Sequence, residues 1–157
     1  MDYKDKYIKY KPKYLELKNM DIMNKILCFI VVFLLYIVLD GTMMVLFMGK
    51  YFGGVVEKIQ RGKKMSARII PAVLCFLILA FGIVYFVLDR IRDDHIVEDS
   101  FRYGGVFGAI VYGVFDLTNY AIFTDYTVGT VLIDMAWGTI LASVVSMITK
   151  FLFVKKE

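Results

Sequence analysis

Residues 103–149 read YGGVFGAIVYGVFDLTNYAIFTDYTVGTVLIDMAWGTILASVVSMIT. The stretch contains two apolar runs, and each is long enough to cross a hydrocarbon core of roughly 30 Å as a helix of about 20 residues. Only Thr124–Thr127 separate the two runs. Because so short a connection leaves the second helix beside the first, the pattern predicts an antiparallel transmembrane hairpin.

The 157-residue chain as a whole is apolar, with 59% hydrophobic residues and a mean hydropathy of +0.65. This composition exceeds the usual apolar share of a water-soluble domain. The first span is too long for a cleaved signal peptide and lacks a small-x-small cleavage site. We therefore predict an all-α, polytopic membrane protein whose four transmembrane helices occupy residues 26–154, after a tail of residues 1–25. The predicted spans are Ile26–Met48, Ile69–Leu88, Tyr103–Phe123 and Val128–Thr149.

The distribution of lysine and arginine indicates the orientation of these spans. The side that holds both termini carries thirteen Lys and Arg, whereas the other side carries six, all between residues 49 and 68. The more basic side of a membrane protein usually faces the cytoplasm. Both termini are therefore predicted to be cytoplasmic.

The amino-terminal tail is basic and rich in tyrosine. Its tyrosines and one leucine recur at helical spacing, with lysines between them, at Tyr3, Tyr7, Tyr10, Tyr14 and Leu17. This pattern is typical of a helix in the lipid headgroup region, although Pro12 argues against one uninterrupted helix. A disordered basic tail is the alternative. Either form favours anionic lipid headgroups as partners, and a nucleic acid is not expected because no base-stacking platform is evident.

Three aspartates lie inside the predicted spans. Asp116 and Asp134 are each about nine residues from the middle of the third connection, which places both roughly 10–13 Å into the membrane. Asp40 precedes the end of the first span by eight residues, on the same side of the bilayer. No Lys, Arg or His stands beside them, and an ionised carboxylate is expensive there. At least one of the acids is therefore predicted to be protonated at neutral pH.

Neutral polar and small residues accompany the acids on the last two spans. Asn119, Tyr120 and Trp137 are predicted to complete a substrate- or ion-binding site with Asp40, Asp116 and Asp134. Small residues at i, i+4 spacing are predicted to pack the two helices closely; they are Gly104, Gly108, Gly138 and Ala142. The alternative is purely structural, with Asp116–Asn119 and Asp134–Tyr120 hydrogen bonds that only fix packing. Three uncompensated acids at one depth favour the binding site.

Other chemistry has little support in the sequence. Cys28 and Cys75 fall within spans and are interpreted as small apolar filler, and His95 is a lone loop residue. No metal-ligand spacing and no phosphate-gripping glycine loop occurs in the spans, so no metal and no cofactor is predicted. No catalytic residue can be named. This disfavours an enzyme without excluding one.

The segment GGVFGAIVYGVFDLTNYAIFTDYTVGTVLIDMAWGTILASVV, together with Leu39 and Asp40, resembles the four-helix membrane proteins of domain of unknown function 2177. The DLTN and DMAWGT blocks are the specific part. The resemblance implies an all-helical membrane protein but no reaction. It marks as family-like Asp40, Asp116, Thr118, Asn119, Asp134, Trp137 and Gly138. The tail is also similar to lysine- and tyrosine-rich amino termini of giant-virus proteins, which suggests a viral origin.

Three functions remain open at this point. The first is an intramembrane acidic site that binds or transports a small cation, a proton or a lipid-like molecule. Because four helices are few for a carrier, this function predicts a homo-oligomer. The second is a non-catalytic membrane scaffold or assembly protein. The third is a lipid-modifying enzyme that uses paired aspartates as general acid and base.

Overall fold

A computed structural model of the chain describes the backbone of residues 3–153 and the side chains of residues 23–153. The predicted tyrosine stripe of the tail lies outside the described side chains. Within residues 3–153, six α-helices follow one another: α1 (Tyr3–Met43), α2 (Gly49–Ile59), α3 (Ile69–Gly82), α4 (Ile96–Asp99), α5 (Val106–Ile122) and α6 (Val128–Phe153). Helix α1 continues through Pro12, so the interruption predicted there is not observed.

Short π- and 3₁₀-helical segments join these helices into four long rods. They are Met44–Met48 between α1 and α2, Ile83–Val87 and Leu88–Arg90 after α3, and Ser100–Gly105 between α4 and α5. The rods Met23–Ile59, Ile69–Arg90, Ile96–Ile122 and Val128–Phe153 are long and apolar enough to cross a membrane. The predicted all-α fold with four candidate spans is therefore confirmed.

Helix α6 is the central element of the bundle. It packs against α1 on one side and against α5 and the preceding π segment on the other, while α3 packs against α1. The core joins Val32 and Tyr36 of α1 to Leu141, Ala142 and Val145 of α6, all almost completely buried. Large apolar side chains also cover the outside of the bundle, as a hydrocarbon solvent requires.

Four hydroxyl side chains of α6 are satisfied within their own helix. Thr139, Ser143, Ser146 and Thr149 each donate a hydrogen bond to the carbonyl oxygen four residues earlier, at 2.7–2.8 Å. Such bonding leaves no donor to be satisfied by lipid. It also leaves a smooth surface on which α5 can lie.

Ion pairs fasten the end of the bundle that contains residues 91–95. Asp99 is fully buried and accepts three hydrogen bonds from Arg92, from the backbone N–H, Nε and Nη2, at 2.8–3.0 Å. This hydrogen bonding raises the pKa of Arg92 above its usual range. Lys150 pairs with Asp93 at 2.7 Å and Lys25 with Asp89 at 3.5 Å. Lys25 and Lys150 therefore connect Asp89 and Asp93, at the end of the second span and just after it, to α1 and α6.

Two boundaries differ from the sequence prediction. The first rod does not end at Met48, because α2 continues to Ile59 with Phe52, Val55, Val56 and Ile59 at helical spacing on one apolar face. The third rod begins at Ile96 instead of Tyr103, since Arg92 neutralises the buried Asp99 and lets this turn enter the bundle. The hydropathy signal weakens at both places because charged residues interrupt it.

Candidate functional site: an acidic cluster inside the bundle

Asp40 of α1 and Trp137 of α6 form the first pair of the site. The indole Nε1 of Trp137 donates a hydrogen bond of 2.8 Å to Oδ1 of Asp40. Both side chains are half-buried. Because the two residues are 97 positions apart in the chain, the bond fixes the first span against the last at the level of the acids.

Asp116 of α5 is the second acid of the site and is completely buried. One of its carboxylate oxygens accepts a hydrogen bond from the hydroxyl of Tyr126. Tyr126 belongs to the third connection, where its backbone N–H bonds the carbonyl of Phe123 and turns the ring back toward the bundle. Burial raises the pKa of the Tyr126 phenol, so the ring remains protonated and acts as the donor. The second oxygen of Asp116 has no hydrogen-bond partner among the described residues.

Asp134 of α6 completes the cluster, one helical turn before Trp137. Asp134 is half-buried and lies at the junction of two cavities, which it lines together with Asp40, Tyr112 and Phe115. The bundle therefore brings carboxyl groups from α1 and α6 to both cavities, and Tyr126, which donates to Asp116 of α5, lines the larger one.

The larger cavity has a volume of about 410 Å³ and lies between α2, α5 and α6. The apolar face of α2 forms one wall, and Asn119, Tyr126 and Trp137 contribute polar atoms. A hydrogen bond of 3.0 Å between the hydroxyls of Tyr51 and Thr130 attaches α2 to α6. Known small-molecule sites occupy roughly 300–1,000 Å³, so this cavity has the size of a ligand pocket.

The second cavity has a volume of about 360 Å³ and lies between α1, α3 and α5. Its walls include Ala72, Cys75 and Phe76 from α3 and Val111 from α5. Ala72 and Cys75 are exposed on the outer surface of the bundle, where hydrocarbon would surround the protein. The second cavity therefore leads from the acids toward the side of the bundle.

No described Lys, Arg or His forms an ion pair with the three acids. Within residues 23–153, Lys25, Arg92 and Lys150 form ion pairs with other carboxylates, and these pairs lie at the opposite end of the bundle. The same part of the chain contains no group of three His, Cys, Asp or Glu side chains placed to hold a metal ion. The cluster is thus a set of acids balanced only by neutral donors.

Most of the residues predicted for the site come together, and one does not. Asp40, Asn119, Asp134 and Trp137 line the larger cavity. Asp116 is hydrogen-bonded to Tyr126, which lines the same cavity. Tyr120 is 47% exposed on the outer surface and lines neither cavity. An i, i+4 line rotates by about 40° at each step, so four steps from Gly104 carry Tyr120 to another face. The structure therefore places Tyr120 apart from the other residues predicted for the site.

Two parts of the site were not predicted from the sequence. Tyr126, in the third connection, donates a hydrogen bond to Asp116. The packing alternative had predicted that Asn119 would bond Asp116 instead. The wall formed by α2 was also missed, although apolar residues at 52, 55, 56 and 59 follow the i, i+3, i+4, i+7 pattern of an amphipathic helix. That pattern could have revealed the wall.

Glycines set how closely α5 approaches α6 below the site. A Cβ atom on Gly108 would lie 2.1 Å from the carbonyl oxygen of Gly138, and one on Gly104 would lie 2.9 Å from that of Ala142. A Cβ on Gly138 would lie 2.2 Å from the ring of Tyr112. The small residues singled out from the sequence thus occupy the contact between the two helices, where they allow Tyr112 to reach the acids.

Comparison with known proteins identifies the family of the chain. The family model described as predicted membrane protein (DUF2177) matches residues 25–151, which include all four spans except the outermost two residues of the first and the last, and every residue of the acidic cluster. The chain matches no curated protein and no solved structure. The chain belongs to the DUF2177 family of membrane proteins.

Proposed function

We propose that the protein binds a small organic cation with lipid-like character at Asp40, Asp116 and Asp134, within the membrane. The observation that carries the proposal is the position of Asp40 and Asp134. Both line two ligand-sized cavities at once, and no described basic residue pairs with them. A family of unknown function leaves the ligand to be inferred from this site.

The charge of the site determines the charge of the ligand. Carboxyl groups in a low-dielectric interior must pair, protonate or reach water, because an uncompensated charge there is costly. Trp137 and Tyr126 donate one hydrogen bond each, and neither supplies a positive charge. An ammonium group that lies among the three acids would provide both the charge and the missing donors.

The apolar walls determine the rest of the ligand. Beyond the acids, the larger cavity is lined by side chains such as Phe52, Val56 and Met48, and the smaller by Phe76, Leu79 and Val111. A fully hydrated inorganic cation would gain nothing from these walls. An alkyl chain attached to the ammonium group would bury apolar surface against them.

A fluorescence titration in lipid nanodiscs tests the proposal directly. Trp137 is the only tryptophan of the chain and its indole contacts the site, so its emission reports occupancy. Dodecylamine is expected to change the emission saturably, whereas dodecanol and dodecyl sulfate are not. Asp134→Asn is expected to weaken dodecylamine binding at least tenfold, because it removes a negative charge that would pair with the ammonium group.

The matched control is Asp125→Asn, which makes the same chemical change in an exposed residue of the neighbouring connection, outside both cavities. It should bind dodecylamine like the parent protein. If Asp134→Asn binds as well as Asp125→Asn, the acids are packing devices and a scaffold function replaces the proposal.

A further inference from the structure

A groove at the other end of the bundle combines an apolar floor with two arginines. It lies between the second and third spans, has a volume of about 230 Å³, and is walled by Phe86, Val106, Phe107 and Ile110. Phe86, Val106 and Ile110 are more than half exposed, so the groove is open on the outer surface of the bundle. It shares no residue with the cavities at the acidic cluster.

The arginines occupy the mouth of the groove. Arg90 is the last residue of the second span and Arg102 belongs to the π segment that precedes α5. Both line the groove. Neither has a carboxylate partner within residues 23–153, whereas the nearby cations Arg92 and Lys150 are paired with aspartates. Two guanidinium groups therefore remain available to an external anion.

The surrounding contacts hold the groove in shape. The guanidinium of Arg102 lies over the ring of Tyr103, with 5.6 Å between its central carbon and the ring centroid. At the floor, Phe107 packs on the bare backbone of Gly82, where a Cβ atom would lie 2.3 Å from the ring. The glycine thus lets the aromatic ring pass between the spans and form the base of the groove.

The dimensions of the groove match one leaflet of a bilayer. Arg102 and Ile110 are eight residues apart, which corresponds to about 12 Å along a helix. Half of a hydrocarbon core of roughly 30 Å is about 15 Å. A groove that begins at two arginines and runs this far over apolar side chains offers a phosphate site at one end and an acyl-chain site along its length.

We propose that this groove binds one anionic phospholipid. The lipid phosphate lies between Arg90 and Arg102, which donate charge-assisted hydrogen bonds to its oxygens. One acyl chain lies along Val106, Phe107 and Ile110. The site is separate from the acidic cluster, and the inference does not depend on the function proposed for that cluster.

Native mass spectrometry of the full chain, released from detergent micelles that contain equal amounts of phosphatidylglycerol and phosphatidylcholine, tests the site. The parent protein is expected to retain one phosphatidylglycerol in preference to phosphatidylcholine. The double variant Arg90→Gln/Arg102→Gln should lose about thirtyfold in phosphatidylglycerol retention, since each interfacial basic residue contributes about fivefold to anionic lipid binding. The matched control is Arg61→Gln/Arg68→Gln, two exposed arginines of the first connection.

Two further measurements separate the phosphate site from the acyl-chain site. Ile110→Trp should fill the groove and reduce retention while both arginines are intact. Inorganic phosphate at millimolar concentration should not displace the lipid. Thermal midpoints establish that each variant is folded.

The proposal is overturned by any of three results: equal retention of the two lipids by the parent, equal loss in the control double variant, or displacement by inorganic phosphate. Unchanged retention in Ile110→Trp would likewise contradict the acyl-chain contact.

Discussion

The contact of α5 with α6 permits a sharp test of the fold, through Gly108→Ala. At Gly108 the two helices approach so closely that an added Cβ atom would lie 2.1 Å from the carbonyl oxygen of Gly138 and 2.9 Å from the Cβ of Ala142. Carbon–oxygen contacts across helices are found at about 3.3 Å and beyond. The methyl group is therefore about 1.2 Å too close to a backbone atom that no side-chain rotation can move.

The magnitude follows from what must give way. Neither the added methyl group on Gly108 nor the backbone carbonyl of Gly138 can rotate away, so the two helices must separate locally. This separation also loosens the contact of Tyr112 with Gly138. Overpacking of this kind costs about 1–3 kcal/mol. We expect Gly108→Ala to lower the free energy of unfolding by about 2 kcal/mol, a factor of roughly thirty in the ratio of folded to unfolded protein.

Unfolding in SDS, followed by the emission of Trp137, measures this change. Gly113→Ala is the matched control on the same helix, because its Cβ would meet only the flexible end of Met135, at 3.0 Å. Gly53→Ala, with open space around it, measures the effect of helix propensity alone. If Gly108→Ala is as stable as Gly113→Ala, the close approach of α5 to α6 is refuted.

Three other predictions concern single side chains. Tyr126→Phe should lower the free energy of unfolding by about 1–3 kcal/mol in the same SDS assay, because it leaves a buried oxygen of Asp116 without its donor; a change equal to that of Asp125→Asn would contradict the hydrogen bond. Asp99→Asn should lower the thermal midpoint in detergent more than Lys150→Gln, since Asp99 is fully buried with three hydrogen bonds and Lys150 forms a surface pair; the reverse order would refute this ranking. In a Cys28→Ser background, a bilayer-soluble maleimide should label Cys75 at the side opening of the second cavity. Dodecylamine should slow this labelling, because Cys75 and the acids line the same cavity. A labelling rate that dodecylamine leaves unchanged would show that the opening does not lead to the acids.

The four spans could be predicted because their formation depends on little beyond the chain itself. In hydrocarbon every backbone polar group must bond within its own helix, so an apolar run of sufficient length becomes a helix before tertiary contacts matter. The ends of the spans were less predictable. Asp99 enters the bundle only because Arg92 neutralises it, and α2 continues past Met48 because its apolar face covers a cavity. Both facts depend on contacts that local hydropathy does not report.

For the residues of the site, position along the helix axis is easier to predict than rotation about that axis. A rise of 1.5 Å per residue gives the level of Asp116 and Asp134 without any knowledge of packing. Positions four residues apart differ by about 40° in rotation about the helix axis, and this difference adds up along the helix. Asp116 is therefore buried while Tyr120, one turn further, is exposed. Tyr126 depends on the path of a four-residue connection, and nothing in its spacing requires the ring to turn inward.

The choice of carboxylates over amides favours a ligand at this cluster. Trp137 Nε1 and the Tyr126 hydroxyl are donors, and an amide oxygen would accept from them as well as a carboxylate does. Asparagine at 40 and 116 would therefore preserve both hydrogen bonds at a lower cost of burial. What asparagine cannot preserve is the ability to carry negative charge and to exchange a proton. If packing were the only role of these positions, the cheaper residue would suffice. The presence of three acids beside two ligand-sized cavities therefore supports the proposed cation site over a role in packing alone.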